Sequence, residues 1–156
     1  MVEQSPEYNA VVETPFCALG ILVANGLVQR IDFTQAPLKQ PNCPLSKKAV
    51  FQIRAYLEDP QFRFDLPIAE APTQFQGRVR QAMLAIAPGK VKTYGELSTL
   101  LASAPRAVGQ ACRHNPLPIL VPCHRVVGSS GIGGFSGDAR GGRVSFKEWL
   151  LHYEES

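Results

Sequence analysis

Prolines at 60, 67 and 72 divide the 156-residue chain into two stretches of opposite character, and no other feature limits its fold as strongly. A proline fixes φ, removes a backbone donor and pushes the preceding residue out of the helical region. Neither a long helix nor a central strand can run through such a passage. The chain is long enough for one good core or two small ones, and the break favours two lobes, 1–70 and 71–156. The first lobe reads as strand-rich. Tyr8 to Glu13 is β-branched and alternating, and Leu19 to Phe33 holds two apolar runs around Asn25-Gly26, a dipeptide suited to a type I′ hairpin turn. Ser46 to Leu57 then places Val50, Ile53, Arg54 and Leu57 at helical spacing, with Ser46 as the predicted N-cap. The fold class is therefore α+β.

The second lobe reads as helical. Thr73 and Gln76 form a predicted capping box opening a helix to about Ile86, with Phe75, Val79, Met83 and Ile86 on one face. Thr93-Tyr94-Gly95-Glu96 is a second capping box, starting a short helix to about Leu101. Ser103 is placed as the cap of a third helix, Pro105 to Arg113, and two short helices joined by a tight turn make a candidate helix-turn-helix. On that third helix Arg106, Gly109, Gln110 and Arg113 share one side, while Val108, Ala111 and Cys112 point the other way. Gly109 weakens a helix by about 1 kcal/mol relative to alanine. Either another backbone approaches closely there, or the helix packs tightly on its neighbour.

Composition excludes several classes. With 45% hydrophobic and 19% charged residues the chain reads as an ordinary globular protein. The longest apolar stretches, Leu19 to Ala24 and Pro118 to Pro122, fall far short of the roughly 20 residues of a membrane span. Met1 to Pro6 lacks the basic and apolar pattern of a signal peptide. Cys17, Cys43, Cys112 and Cys123 form no CxxC pair, so neither a disulfide framework nor a metal site is expected, and a reducing cytoplasm fits. Charge is lopsided: residues from Ala71 onward hold ten Lys/Arg against five Asp/Glu, whereas the first seventy hold six against eight. A positive lobe attracts polyanions, although a merely solvated basic face gives the same count.

Asn115-Pro116-Leu117-Pro118-Ile119-Leu120-Val121-Pro122-Cys123-His124-Arg125-Val126 carries the chemistry. Its three prolines are expected to hold one extended shape, which suits a placed reactive atom. A cysteine reacts as thiolate, and at its ordinary pKa of about 8.5 it needs a base or a positive charge nearby. His124 and Arg125 offer both. Taken alone, a Cys followed by His is a weak signal, because adjacent strand residues face opposite ways and cysteine is often a small buried hydrophobe.

Pro122-Cys123-His124-Arg125-Val126, preceded by Arg106-Ala107-Val108-Gly109 and Asn115-Pro116, resembles the methylated-DNA-protein-cysteine methyltransferases, the alkylguanine-DNA alkyltransferases. The likeness runs from Thr73-Gln74-Phe75-Gln76 through Thr93-Tyr94-Gly95-Glu96 to Lys147-Glu148-Trp149-Leu150-Leu151-His152-Tyr153-Glu154, and more loosely over Thr14 to Phe33. It implies a ribonuclease-H-like N-terminal α/β lobe and a C-terminal lobe with a winged helix-turn-helix that enters the minor groove of double-stranded DNA. Arg106 would fill the gap left by a flipped nucleotide, beside the small Ala107 and Gly109, with Gln110, Arg113 and Thr93 also on the DNA. Glu154 would orient His124, which takes the Cys123 proton through a water. Tyr94 would help turn the nucleotide out and protonate the guanine, and Asn115 would be a hinge. Val126, Phe135 and Ser136 would line the base pocket.

The resemblance further implies a single-turnover repair protein of the bacterial cytoplasm, a monomer with no cofactor, acting on O6-methylguanine and on O4-methylthymine. Arg80 departs from the tryptophan of many relatives, and residues 137–143 form a slightly expanded loop. Three competitors remain: a non-catalytic lesion sensor, which Cys123 argues against; a sequence-specific DNA-binding module; and an unrelated cysteine hydrolase.

Overall fold

The computed structural model describes residues 6–129 and 142–155, the side chains of 142–145 excepted. The chain divides into two compact units, Met1–Ala69 and Glu70–Ser156. Strands β1 (Ala10–Glu13), β2 (Ala18–Ala24) and β3 (Leu27–Thr34) form an antiparallel sheet in that order. The β2–β3 turn falls on Asn25 and Gly26, whose φ values of 56° and 72° are the left-handed pair that a type I′ turn requires. Alternation fixes the register: Leu19 and Ile21 of β2 are fully buried, opposite Phe33 and Ile31 of β3. Pro67 to Ala69 lies along β3, with Val28 donating to Pro67 O at 2.8 Å and Ala69 donating to Val28 O at 2.9 Å.

Helix α1 (Pro44–Glu58) packs on this sheet through Ala49, Val50, Ile53 and Tyr56. Its cap differs from the sequence expectation. Cys43, not Ser46, is the N-cap; its sulfur accepts from the Ser46 backbone N–H, and Ser46 Oγ accepts from the Cys43 backbone N–H. Pro44 explains the shift, since a proline takes the first helical position readily and moves the start two residues upstream. Gln52 is buried and clamps Asp65, accepting from its N–H at 2.8 Å and donating to its carbonyl at 3.3 Å.

The second unit contains α2 (Gln74–Leu84), β4 (Lys92–Thr93), α3 (Tyr94–Leu100), α4 (Pro105–Arg113), a 3-10 turn (Cys123–Arg125), β5 (Val126–Val127) and α5 (Gly142–Glu154). Helix α2 stops at Leu84 rather than Ile86, and its cap is half of a capping box: Thr73 Oγ1 accepts from the Gln76 N–H, while the Gln76 side chain meets the Thr73 hydroxyl instead of its N–H. Val79, Met83 and Ile86 are buried as expected, Phe75 only half so, and Arg80 is buried within this unit. Thr93 and Glu96 make the full capping box of α3. Ser103 does not cap α4. The helix starts at Pro105 as expected, which makes Ala104 the N-cap, and alanine has no side-chain acceptor to offer. Arg78 donates to Leu101 O at 2.9 Å and so closes the end of α3.

Helices α3 and α4 pack on each other, and α2 packs on α4. Val108, Ala111 and Cys112 are buried, whereas Arg106, Gln110 and Arg113 are exposed. A Cβ built on Gly109 would meet nothing within 4 Å among the described residues. Tight packing on a neighbouring helix is therefore not why glycine stands there. Strands β4 and β5 pair in parallel, Lys92 opposite Val126 and Thr93 opposite Val127, which brings the start of α3 beside the end of the Cys123 turn. Among the described residues no helix is long and apolar enough to cross a membrane.

Candidate active site

The segment leading to Cys123 is rigid but not extended throughout. Asn115 braces it from within: its Nδ2 donates to Val121 O at 3.0 Å and its Oδ1 accepts from the Leu117 N–H at 3.0 Å. Ile119 sits at φ 77°, a conformation that costs a β-branched residue on the order of 1–3 kcal/mol and persists only where its surroundings over-determine it. After Pro122 the chain winds into the 3-10 turn, with Arg125 N–H donating to Pro122 O and Val126 N–H to Cys123 O. The expectation of one extended shape fails here, and the difference has a chemical consequence. In a strand, His124 and Arg125 would face opposite ways. On the turn both reach one carboxylate.

That carboxylate is Glu154, in the last turn of α5. His124 Nε2 lies 2.9 Å from Glu154 Oε2, while Arg125 donates through Nε to Oε1 at 2.9 Å and through a terminal nitrogen to Oε2 at 2.8 Å. Arg125 also donates to Ile86 O at 2.7 Å, tying the turn to the residues after α2. All of this is buried, with His124 0% and Glu154 2% exposed. Burial works to raise the Glu154 pKa, but the hydrogen bonds from His124 and Arg125 outweigh it and hold the carboxyl at about 2. An ionised carboxylate only accepts, so His124 Nε2 carries the hydrogen and Nδ1 presents its lone pair. Burial also depresses the His124 pKa, leaving the imidazole neutral. Its Nδ1 is buried and has no hydrogen-bond partner among the described residues.

Cys123 is 3% exposed, and burial pushes its thiol up to about 11, against the lowering effects of an Asn115 hydrogen bond and the Lys147 charge. Burial thus favours the protonated thiol at Cys123 and the neutral imidazole at His124, the next residue. Tyr94, first residue of α3, is pushed up to about 12, first by burial and then by the charges of Cys112 and Cys123, so its hydroxyl keeps its proton. Cys112 is raised to about 12, chiefly by burial, and its Sγ lies 3.7 Å from Met83 Sδ. All four cysteines are free thiols.

The structure thus draws together Cys123, His124, Glu154, Tyr94, Asn115 and Val126. It sets Arg106, Gln110 and Arg113 on the open side of α4 with half-buried Ala107 and Gly109, and Thr93 at the start of α3. Phe135, Ser136 and the 137–143 loop fall on residues 130–145, outside the described positions or their side chains. Sequence reasoning missed two members of the cluster. Arg125 had been given only a general positive charge, whereas it grips Glu154 with two bonds. Lys147 had no role at all, yet it is 0% exposed and donates to Val126 O at 2.7 Å. The signal was present: Lys147, Leu150 and Glu154 fall at i, i+3 and i+7, one stripe of a helix. Among the described residues no group of His, Cys, Asp and Glu is arranged to hold a metal ion.

Residues 74–156, more than half of the chain, match the family model described as 6-O-methylguanine DNA methyltransferase, DNA binding domain. The chain belongs to this 6-O-methylguanine DNA methyltransferase family. It is 31% identical over 94% of its length, and 94% of the relative's, to the constitutive methylated-DNA–protein-cysteine methyltransferase of Bacillus subtilis. A Mycobacterium tuberculosis relative of the same name is 41% identical over 69% of this chain, a match that spans only 64% of that relative's own length. The mixed α/β fold superposes on the crystal structure of the Mycobacterium tuberculosis O6-methylguanine methyltransferase with a TM-score of 0.79, at 31% identity and covering 93% and 90% of the two chains. It superposes equally well, at 0.79, on the Mycobacterium tuberculosis OGT in complex with DNA.

Proposed function

We propose that this family member repairs DNA by direct reversal, moving the alkyl group of O6-methylguanine, and of O4-methylthymine, onto Cys123 in a single irreversible turnover. The observation that carries the reading is the buried His124 whose Nε2 is fixed 2.9 Å from the Glu154 carboxylate, which leaves Nδ1 as the basic nitrogen, next in sequence to a buried thiol. This is the order of nucleophile, base and orienting carboxylate found in cysteine catalysis. Here the target is an alkyl carbon. The Cys123 proton passes to Nδ1 through one water, and the sulfur attacks the alkyl carbon. The S–C bond forms as the C–O6 bond breaks, and the bonding pair enters the guanine ring. Tyr94 hands the ring a proton and recovers one from His124, so the thiol proton ends on the released guanine. A thioether is not hydrolysed, hence one turnover, and none of these steps calls on a cofactor.

The damaged base must leave the duplex to reach a thiol 3% exposed. We assign α3 and α4 to a winged helix-turn-helix with α4 in the minor groove, Arg106 filling the vacated stack, and Ala107, Gly109, Gln110, Arg113 and Thr93 along the backbone. The open space at Gly109 supports a close approach from outside the protein. The first unit, 1–70, would be a ribonuclease-H-like lobe, and the protein would act as a cytoplasmic monomer on double-stranded DNA through residues 71–156.

The test is mass spectrometry of the intact protein after incubation with an oligonucleotide duplex holding one O6-methylguanine, followed by peptide mapping. One added methyl group on Cys123, absent from Cys123→Ser, is the expected result. An unmodified protein that still binds the lesion selectively would overturn the transfer and leave a lesion sensor. Gly109 offers a second expectation. Gly109→Ala gains up to about 1 kcal/mol of helix stability, and Gly109→Leu folds normally but binds duplex about tenfold more weakly, about 1.4 kcal/mol. Thermal melting and fluorescence anisotropy on the Cys123→Ser background read the two effects separately.

A further inference from the structure

We propose that Gly89 is a positioning residue for the transfer: its missing side chain lets a tight turn seat against the backbone of Glu154, and this contact holds the carboxylate on His124. The inference rests on the repair reading above. Ala87-Pro88-Gly89-Lys90 has the marks of a type II turn. Ala87 O accepts from the Lys90 N–H at 3.1 Å, proline stands at the second position, and Gly89 at the third has φ 83°, close to the roughly +80° of that turn. Glycine takes such a φ at no steric cost. That need alone would explain the residue, but a second constraint acts on it. A Cβ built on Gly89 would lie 3.1 Å from the backbone oxygen of Glu154 and 3.9 Å from its carbonyl carbon. Even close carbon–oxygen contacts in proteins run to about 3.3–3.6 Å, so one of the two backbones would have to give way.

Glu154 has little room to do so. It is the last residue of α5, and its carboxylate is gripped by His124 Nε2 at 2.9 Å and by two Arg125 nitrogens at 2.9 and 2.8 Å. Hydrogen bonds of that length weaken with small changes in distance and angle, so a shift of the Glu154 backbone is passed to the imidazole. The same stretch meets the Cys123 turn at two further points. Ile86 O, just before the tight turn, accepts from Arg125 at 2.7 Å, and Lys92, just after it, stands opposite Val126 in the β4–β5 pair. Residues 86–92 thus meet Arg125, Glu154 and Val126 in that order, with Gly89 at the middle contact. Gly26 isolates the effect. Its φ is 72°, yet a Cβ there meets nothing within 4 Å among the described residues. A side chain at either glycine suffers the same backbone strain, and only at Gly89 does it also press on Glu154.

The experiment compares Gly89→Ala with Gly26→Ala. Both should melt at least about 3 °C below the wild type, the effect of a Cβ in the left-handed region. Rapid-quench transfer from an O6-methylguanine duplex, at saturating protein, should leave Gly26→Ala within about twofold of wild type and slow Gly89→Ala by about five- to tenfold, because a sub-ångström misplacement of a reacting group is costly. Nitrogen-15 NMR of the imidazoles gives a readout that needs no DNA. Wild type and Gly26→Ala should hold the His124 hydrogen on Nε2, whereas Gly89→Ala should populate the Nδ1–H form as well. Equal transfer rates for the two variants overturn the proposal, and so does a slower Gly89→Ala whose His124 signals match the wild type. If Gly89→Ala does not fold, Gly89→Asn carries the same comparison, since asparagine tolerates the left-handed region and presents the same Cβ. Should the wild type leave O6-methylguanine untouched while the His124 tautomer still responds to Gly89→Ala alone, the repair reading fails and the seating of Glu154 by Gly89 stands.

Discussion

Replacing Glu154 with alanine should unfold the protein on the order of 10 °C earlier and slow alkyl transfer by about 10²–10³-fold. Stability falls because Arg125 would stay buried with the two bonds to its carboxylate gone, and breaking a buried pair from one side costs about 3–5 kcal/mol. Transfer falls for a separate reason. Without an acceptor-only partner at Nε2, His124 is free to put its hydrogen on Nδ1, the nitrogen that takes the thiol proton in the proposed transfer. Glu154→Gln separates the effects: its amide oxygen still accepts from Arg125, so melting recovers in part, but the rate stays low. The acid limb carries its own signature. The Glu154 pKa is depressed from 4.5 to about 2, so its contribution is complete above 4.5 and is lost as pH falls through about 2. The melting difference between wild type and Glu154→Ala should therefore shrink as the solution is acidified, and calorimetry across that window checks it. A constant difference would mean the carboxylate is not what the pair depends on.

Arg106→Ala should lower transfer from duplex DNA by about 30–150-fold, while transfer from the same lesion in a single strand changes by less than about threefold. The guanidinium lies on the open side of α4, one residue after the proline that starts the helix, and is exposed. Extruding a base costs a few kcal/mol of stacking and pairing. A side chain that fills the gap is expected to offset about 2–3 kcal/mol of that, and each 1.4 kcal/mol is tenfold in rate. In a single strand there is no stack to fill. Rapid-quench measurements on matched single- and double-stranded oligonucleotides give the ratio directly, and equal losses on both would show that Arg106 serves general phosphate attraction instead.

What could be read in advance followed local rules, and what could not was set by distant partners or by rules in competition. Asn25-Gly26, the Thr93–Glu96 capping box and the two faces of Pro105–Arg113 are decided within a few residues, and the structure keeps all three. Prolines at 44 and 105 overrode side-chain capping preference and placed the two N-caps on Cys43 and Ala104 instead of Ser46 and Ser103. Cysteine is not an ordinary capping residue, so nothing local marked Cys43. The 3-10 turn at Cys123 was hidden because its driving contacts, Arg125 and His124 onto Glu154, close across about thirty residues. Lys147 was passed over because lysine is assigned to solvent by default, and only the spacing to Leu150 and Glu154 could have argued otherwise.

Seclusion of the Cys123 sulfur also governs how the protein ages. A thiol 3% exposed, its pKa raised by burial, is expected to react more slowly with peroxides and small electrophiles than a surface cysteine does. Half-buried Cys43, whose pKa is lowered by its bonds from Ser46, stands open to them by comparison. Under the proposed single turnover, the stock of intact sulfurs should then fall more with the number of lesions encountered than with elapsed time.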